Sequence, residues 1–398
     1  LTMEKDLNRI YTGPKLPLWI AATCSWGRFD MLEDQSMAEA VFNKPDGGAI
    51  AVISASRLAF QAPNIIYMKY LFAELFRNPR DRSRSTPLGL AYFTAKNRFQ
   101  SENSQRFALL GDPALQLASP DYSADISEVT PDTLSALGTA SYSGTVSVGN
   151  DKASDTFTGT GLVSVFDSEK QIHHEWSDYS LDYPIPGSRI FHGPASITNG
   201  HFSGEFIVPK DITYGGTTGR ISVLYHNQDS TITGTGILDN LSFSTSSAGI
   251  SDTEGPSIEF GVEGYDFRPG DAVSTGGVLD IVLWDESGIN LTKSIGHQIS
   301  LILEGPETGE YDVTDYFSYE VDSYQQGHVR YPLAGFESGE YTMTLRVWDS
   351  ANNLSIRSTD IELIEGDEFQ LAEVRNYPNP MAASTDFLFT VTSPAEVQ

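Results

Sequence analysis

The sequence predicts an α/β segment followed by all-β sandwich domains, and three observations carry that prediction. Over residues 1–118 short apolar runs alternate with stretches of helical periodicity, the pattern of strands joined by helices. From Ser119 onward Ser, Thr and Gly become frequent and the apolar runs shorten. Turn residues there recur roughly every ten positions, which is sandwich texture. Charge changes at the same point. Residues 1–118 hold 14 Lys+Arg and 11 Asp+Glu, a net +3; residues 119–398 hold 11 and 42, a net −31, and together these give −28.

In order, Asp6–Tyr11 reads as a helical remnant. Leu16–Thr23 reads as a buried strand, short and apolar with Pro14 and Pro17 at its start. It runs into Cys24, the only cysteine, and then into the turn-like Ser25-Trp26-Gly27-Arg28. A helix is predicted over Asp34–Asn43. Gly47-Gly48 breaks the chain before a second apolar strand, Ala49–Ser54. A longer helix, Asn64–Phe76, carries Ile65, Met68, Leu71, Phe72 and Leu75 as its apolar positions. Arg77–Arg84 is a basic loop, and Pro87–Asn103 a third helix. Phe107–Leu117 (FALLGDPALQL) closes the segment, with Gly111 permitting a sharp turn and Pro113 restricting Asp112. The alternation implies a largely parallel sheet with helices on its faces.

Four domains are expected: 1–118, 119–250, 251–365 and a closing 366–398, with Gly249–Pro256 as a linker. Segments such as SGTVSV, GTGLVSVFD, HFSGEFIVP and GRISVLYH are strand-like. IVLWDESGIN (Ile281–Asn290) and LRVWDSANN (Leu345–Asn353) each end an apolar strand on Trp-Asp and a polar turn. Asp285, Glu286, Asp349 and Asn352 in those turns are candidate calcium ligands, with ordinary Asx-turn chemistry as the alternative. A last strand is expected at Thr385–Val391.

Composition narrows the function. Hydrophobic residues are 39% and aromatics 11%, which fits folded domains rather than disorder. No apolar run is long enough for a membrane-spanning helix. The acidic region repels nucleic acid, and the Arg77–Arg84 cluster lacks interleaved aromatics, so a nucleic-acid partner is not expected. One cysteine rules out an intrachain disulfide. The chain opens without Met and stops inside a strand pattern, so it reads as a piece of a longer protein.

Cys24 has two readings. It is a small buried hydrophobe, or it is a nucleophile at the carboxyl end of a strand, where open α/β sheets place their ligands. A nucleophilic thiol needs a base, usually His. All seven histidines, His173, His174, His192, His201, His226, His297 and His328, lie in the β-rich region. Gly47-Gly48 is followed by no Gly-Lys-Ser/Thr and is not a phosphate loop.

Taken together, ATCSWGRFD, MAEAVFNKPDGGAIAVISASR and FALLGDPALQL resemble the second half of a gingipain-type cysteine peptidase domain. The β-rich DESGINLTKSIGHQISLILEG and RVWDSANNLS resemble segments that follow the peptidase domain in the family's type IX secretion sortases. NYPNPMAASTDFLFTV resembles the opening of a secretion tail or of a FlgD-like immunoglobulin domain. The resemblance implies a caspase-like (gingipain-type) α/β partial domain followed by immunoglobulin-like sandwiches. It implies that Cys24 is the nucleophile and that its N–H forms part of the oxyanion hole, and it puts Ser54, Ala55, Ser56 and Arg57 in the substrate neighbourhood. Gly111-Asp112-Pro113 matches a structural signature.

The family's histidine has no match in this chain, so the 398 residues alone are expected to be inactive. No cofactor is implied as required, and structural calcium is compatible with the family. Implied partners are proteins bearing C-terminal secretion tails, outer-membrane secretion components and lipopolysaccharide, at the extracellular face of the outer membrane. A secreted gingipain-like protease and a catalytically dead surface scaffold or adhesin are the alternatives.

Overall fold

In the computed structural model, residues 7, 10, 16–31, 35–45, 47–76, 86–118, 120, 122–148, 154–176, 179–249, 251–264, 267–365, 371–381 and 383–391 are described. The chain forms two compact units, Leu1–Asp121 and Tyr122–Gln398. Most of the Asp6–Tyr11 segment and all of the Arg77–Arg84 loop lie outside the described residues.

The first unit is built on a three-stranded sheet, β1 (Leu18–Ala21), β2 (Ala51–Ala55) and β3 (Phe107–Leu110), in that order. β1 and β2 are parallel, pairing Leu18 with Ala51 through Ala21 with Ser54. Between them runs α1 (Met37–Phe42). It starts at Ser36, whose hydroxyl accepts from the Glu39 N–H while the Glu39 carboxylate accepts from the Ser36 N–H, a capping box. The helix is therefore shorter than the predicted Asp34–Asn43.

β2 is buried along its whole length, and its pleat divides two cores. Val52 joins Ala38 and Val41 of α1. Ala51, Ile53 and Ala55 join Tyr67, Leu71 and Leu75 of α2 (Gln61–Leu75) and Leu88, Ala91 and Ala95 of α3 (Leu88–Arg98). The buried Glu74 of α2 pairs with Arg98 of α3 at 2.9 Å, tying the two helices together.

The predicted third helix is broken. α3 ends at Arg98, and Ser101 caps a separate α4 (Glu102–Arg106). β3 then pairs antiparallel to β2, with Ala55 opposite Phe107. This corrects the expectation of a largely parallel sheet. Three helices, α2, α3 and α4, separate β2 from β3, and α4 delivers the chain to the β2 exit, so β3 enters where β2 leaves. Gly111 follows at φ +134°, and a Cβ there would lie 2.7 Å from the Ala51 Cβ. The next residues cap α3: Asp112 Oδ1 accepts from Ala114 N–H at 2.8 Å, and Gly89 N–H donates to Pro113 O at 2.8 Å.

The second unit is β throughout apart from the short 3₁₀ turn Thr314–Tyr316 among the described residues. An eight-stranded sheet includes Tyr122–Thr130, Gly159–Phe166, Arg189–Ile197, Gly219–Asn227 and the long Thr233–Ser247. A four-stranded sheet contains Val278–Trp284 and Gln326–Pro332; a five-stranded sheet contains Ser300–Glu304, Gly339–Trp348 and Leu354–Ile364. Alternation is strict where it sets the core. Leu279, Ile281 and Leu283 face inward from the first of these, and Met343, Leu345 and Val347 from the second, in one apolar cluster. That cluster continues into the eight-stranded sheet, where Phe191 stacks on Tyr319 at 5.2 Å between ring centres. Leu371–Tyr377 pairs with Asp386–Val391 as a two-stranded ribbon.

Candidate functional site

Cys24 lies just beyond the carboxyl end of β1, and its side chain is exposed. The parallel pairing of β1 with β2 puts this turn beside the exit of β2. Two backbone bonds clamp it there: Ser25 N–H to Arg57 O and Gly27 N–H to Ala55 O, both 3.1 Å. Ser25 takes a left-handed φ of 55°, uncommon for a residue with a Cβ, and this swings the chain out of the strand. Gly27 packs closely against β2: a Cβ there would sit 3.1 Å from the Ser54 Cβ, a tight contact. Trp26 stacks on Trp19 at 6.0 Å, which anchors the turn's far side.

The thiol donates to Ala59 O at 3.0 Å and accepts from Ala59 N–H at 3.4 Å. The Cys24 N–H has no partner among the described residues, so it is free to donate to an incoming oxygen. The Ala59 loop is itself held by two asparagines. Asn103, buried on α4, donates to Phe60 O at 2.6 Å and to Asn64 Oδ1 at 2.9 Å, and accepts from Phe60 N–H at 3.1 Å. Asn64, buried on α2, donates to Ala22 O at 3.4 Å. The backbone on either side of the thiol is thus braced by one amide chain.

Beside Cys24 opens a largely apolar cleft of about 570 Å³, whose wall includes Ile65, Met68 and Phe72 of α2. Ile65 and Phe72, two of the helix's apolar positions, are half exposed. The inward stripe of α2 is Asn64, Tyr67, Leu71, Glu74 and Leu75, one position out of phase with hydrophobicity alone. Of the residues expected near substrate, Ser54 and Ala55 are 2% and 0% exposed. Ser56 donates to Arg106 O at 3.0 Å. Arg57 forms a two-pronged pair with Asp30, and that guanidinium holds the exposed Asp30 carboxyl below its usual range. Only Arg57 of the four is exposed, at the mouth of the turn.

The first unit contains no histidine. Three of those in the second unit have side-chain partners that tie them up locally. His297 pairs through Nδ1 with Asp211, and His328 bridges Asp280 at 2.6 Å and Glu320 at 3.1 Å. His192 bonds Ser164 at 2.8 Å, and burial, helped by Arg189, lowers its imidazole to about 4.

The two Trp-Asp turns meet. Ile289 bridges Asp349, Asn290 N–H donates to Trp348 O at 2.9 Å, and Ser350 N–H donates to Gly288 O at 2.9 Å. Asp285 and Asp349 come together with Asp252, each offering a carboxylate oxygen within 4.8 Å of the others. Burial pushes Asp285 up to about 7; Ser287 works against it through two hydrogen bonds, and Asp349 and Asp252 add repulsion. Burial likewise raises Asp349. Both also form Asx-type contacts, Asp285 with Ser287 and Asp349 with Asn353. Asn352 instead serves Asp211 and Asn290, and Glu286 is outside the cluster. Asp252, in the predicted linker, carries no sequence signal of its own.

Residues 1–118 match the profile of peptidase family C25. No curated protein matches the chain. Among solved structures the chain is similar to dimeric latent PorU from Porphyromonas gingivalis, at 23% identity and a TM-score of 0.38, covering 88% of this chain and 34% of that one. It is also similar to a tetra-tandem repeat in the extending region of a large adhesion protein, at 12% identity and a TM-score of 0.20, covering 67% and 53%. An Escherichia coli alpha-2-macroglobulin is similar at 10% identity and a TM-score of 0.20, covering 69% and 26%. The chain therefore spans about a third of the PorU chain that it matches.

Proposed function

We propose, taking residues 1–118 as a peptidase family C25 segment, that this chain is part of a gingipain-type cysteine peptidase and that Cys24 is its nucleophile. One observation carries the reading: the only cysteine stands exposed at the carboxyl end of a parallel strand, on a clamped turn beside an apolar cleft. In this reading the Cys24 thiolate attacks the carbonyl carbon of a peptide bond. The carbonyl oxygen takes up the negative charge and accepts from the Cys24 N–H. The C–N bond then breaks, the amine leaves with a proton from a protonated base, and a thioester joins substrate to Sγ. Water or another amine attacks the thioester and restores the thiol. The base in this reading is an imidazole, and the first unit itself has no histidine.

The finer reading is a sortase of the type IX secretion system, acting at the cell surface. It removes C-terminal tails from exported proteins and passes the acyl group to an amine on lipopolysaccharide. The Trp-Asp β segments and the closing NYPNP segment support it. The immunoglobulin-like reading of residues 257–365 belongs to the same proposal. It rests on four- and five-stranded sheets that share one apolar cluster; an experimental structure lacking two facing sheets would remove it. The functional test is made in the full-length protein: Cys24→Ala is expected to leave cargo tails attached. Normal tail removal by that variant would sink the proposal.

A further inference from the structure

We propose that the open edge of the strand His201–Ile207 is a docking site for an extended, basic peptide segment, which joins the eight-stranded sheet as a further strand. His201–Ile207 ends that sheet and pairs on one side only, with Thr139–Val146, setting Ser203 opposite Ser143 and Glu205 opposite Ser141. The two ends of the ladder fix which backbone groups face that neighbour. Val146 N–H donates to Gly200 O at 2.9 Å, and Val208 N–H donates to Gly138 O at 3.0 Å. In an antiparallel pair alternate residues turn both of their backbone groups to the same side. The even-numbered residues therefore serve Thr139–Val146, and Ser203 and Glu205 point their N–H and C=O groups away from it. These groups have no hydrogen-bond partner among the described residues, and both residues are exposed.

This edge borders a groove. Ser143, Ser203 and Glu205 line two adjoining hollows of about 740 Å³ and about 460 Å³. Ser196, Asp322 and Tyr324 also wall the larger one. Asp322 there already does for another strand what an added segment would do for this one. Its N–H donates to Pro194 O at 3.0 Å, and its Oδ1 accepts from the Ser196 N–H at 2.7 Å. It thereby covers the edge of Arg189–Ile197, the strand at the opposite end of the sheet order. Ser203 and Glu205 have no such cover among the described residues, and an uncovered edge is a template for pairing.

Chemistry selects the occupant. Paired N–H and C=O groups on alternate residues match another extended backbone. A residue set opposite Glu205 projects its side chain onto the same face, beside that carboxylate. Glu128, Glu205 and Asp322 border the groove, and no Lys or Arg lines it. None of the three carboxylates forms an ion pair among the described residues. A second copy of this chain is a poor match, since it carries a net charge of −28 and brings its own Glu205 to the same edge. A segment with Lys or Arg at alternate positions complements the site. This docking does not depend on the chemistry of Cys24.

The experiment titrates the 398-residue chain into a labelled, end-blocked peptide alternating Lys and Thr. Fluorescence anisotropy is expected to show saturable binding, and mass spectrometry to show slowed amide exchange at Ser203 and Glu205. Two further peptides are N-methylated at alternate amides, one in each phase. The one whose methyls meet the edge is expected to bind about tenfold more weakly, because its N–H donors are gone. Ser203→Pro removes only an outward N–H, which an edge strand tolerates. Glu205→Lys reverses the charge match. Both variants are expected to melt like the wild type and to lose most of the binding, and Glu205→Lys to gain affinity for a peptide alternating Glu and Thr. The methylated peptides keep the test valid should a variant melt differently. No saturable binding, equal affinity for all three Lys peptides, or undiminished affinity in both variants overturns the proposal. Protection of the same amides by dextran in place of the peptide also overturns it and assigns the groove to a glycan. Protection that rises with protein concentration alone overturns it in favour of a second copy.

Discussion

The Asn103 side chain donates to Asn64 Oδ1 over 2.9 Å, and through Asn64 it reaches the Ala22 carbonyl two residues before Cys24. This pair holds the thiol's surroundings without touching the thiol. Asn103→Ala removes three hydrogen bonds to the Phe60 backbone and Asn64 and leaves a buried amide unpaired. It is expected to cost about 1–3 kcal/mol, the usual penalty of an orphaned buried polar group. Urea unfolding of the chain, followed by tryptophan fluorescence, measures it. In the full-length protein the same change is expected to slow acylation more than it weakens substrate binding, because it loosens the backbone around Sγ.

At Gly111 both space and backbone angle exclude a side chain. With φ at +134°, and with an added Cβ only 2.7 Å from the Ala51 Cβ, Gly111→Ala strains the turn and presses on β2. The expected loss is about 1–3 kcal/mol, read as a lower urea midpoint with unchanged slope. Asp112→Ala removes only the exposed Asx contact to Ala114 and is expected to cost about 1 kcal/mol or less.

Much of the first unit was legible because its signals are local. The apolar run of β2 is buried at every position, so a strand was readable there without knowing its partners, predicted at Ala49–Ser54 and found at Ala51–Ala55. Gly111-Asp112-Pro113 likewise announced a turn. The cleft was not legible. Ile65 and Phe72 look like core residues, and only the docking of α2 through Asn64 and Glu74 turns them outward. Polar residues on an inward face defeat a hydrophobic pattern. The direction of β3 depends on a helix break near Phe99 that no Pro or Gly marks. Asp285 and Asp349 were readable from the repeated Trp-Asp ending, whereas Asp252 joins them only through tertiary folding.

Asp211 supplies a pH-dependent prediction. Burial works to raise its pKa, but hydrogen bonds from His297, Asn352 and Asn290 prevail and hold the carboxyl below its ordinary value. A carboxyl depressed in the folded state adds stability that is fully present above its unfolded value, about 3.9, and is lost as pH falls through the folded value. Asp211→Asn is therefore expected to lower the unfolding midpoint at pH 6–7 (a range chosen about two units above that carboxyl value). The gap to wild type is expected to close on acidification below pH ~4. A gap that stays constant with pH would show that Asp211 acts through packing alone.

The most direct test of the central claim is covalent. The full-length protein is treated with a peptidyl epoxide, an electrophile that alkylates peptidase thiolates, and digested for mass spectrometry. The expected result is stoichiometric modification at Cys24, loss of activity in step with it, and protection by a tail-bearing substrate. An intact enzyme that cleaves its substrate while Cys24 stays unmodified, or that keeps its activity once Cys24 is fully alkylated, would contradict the account.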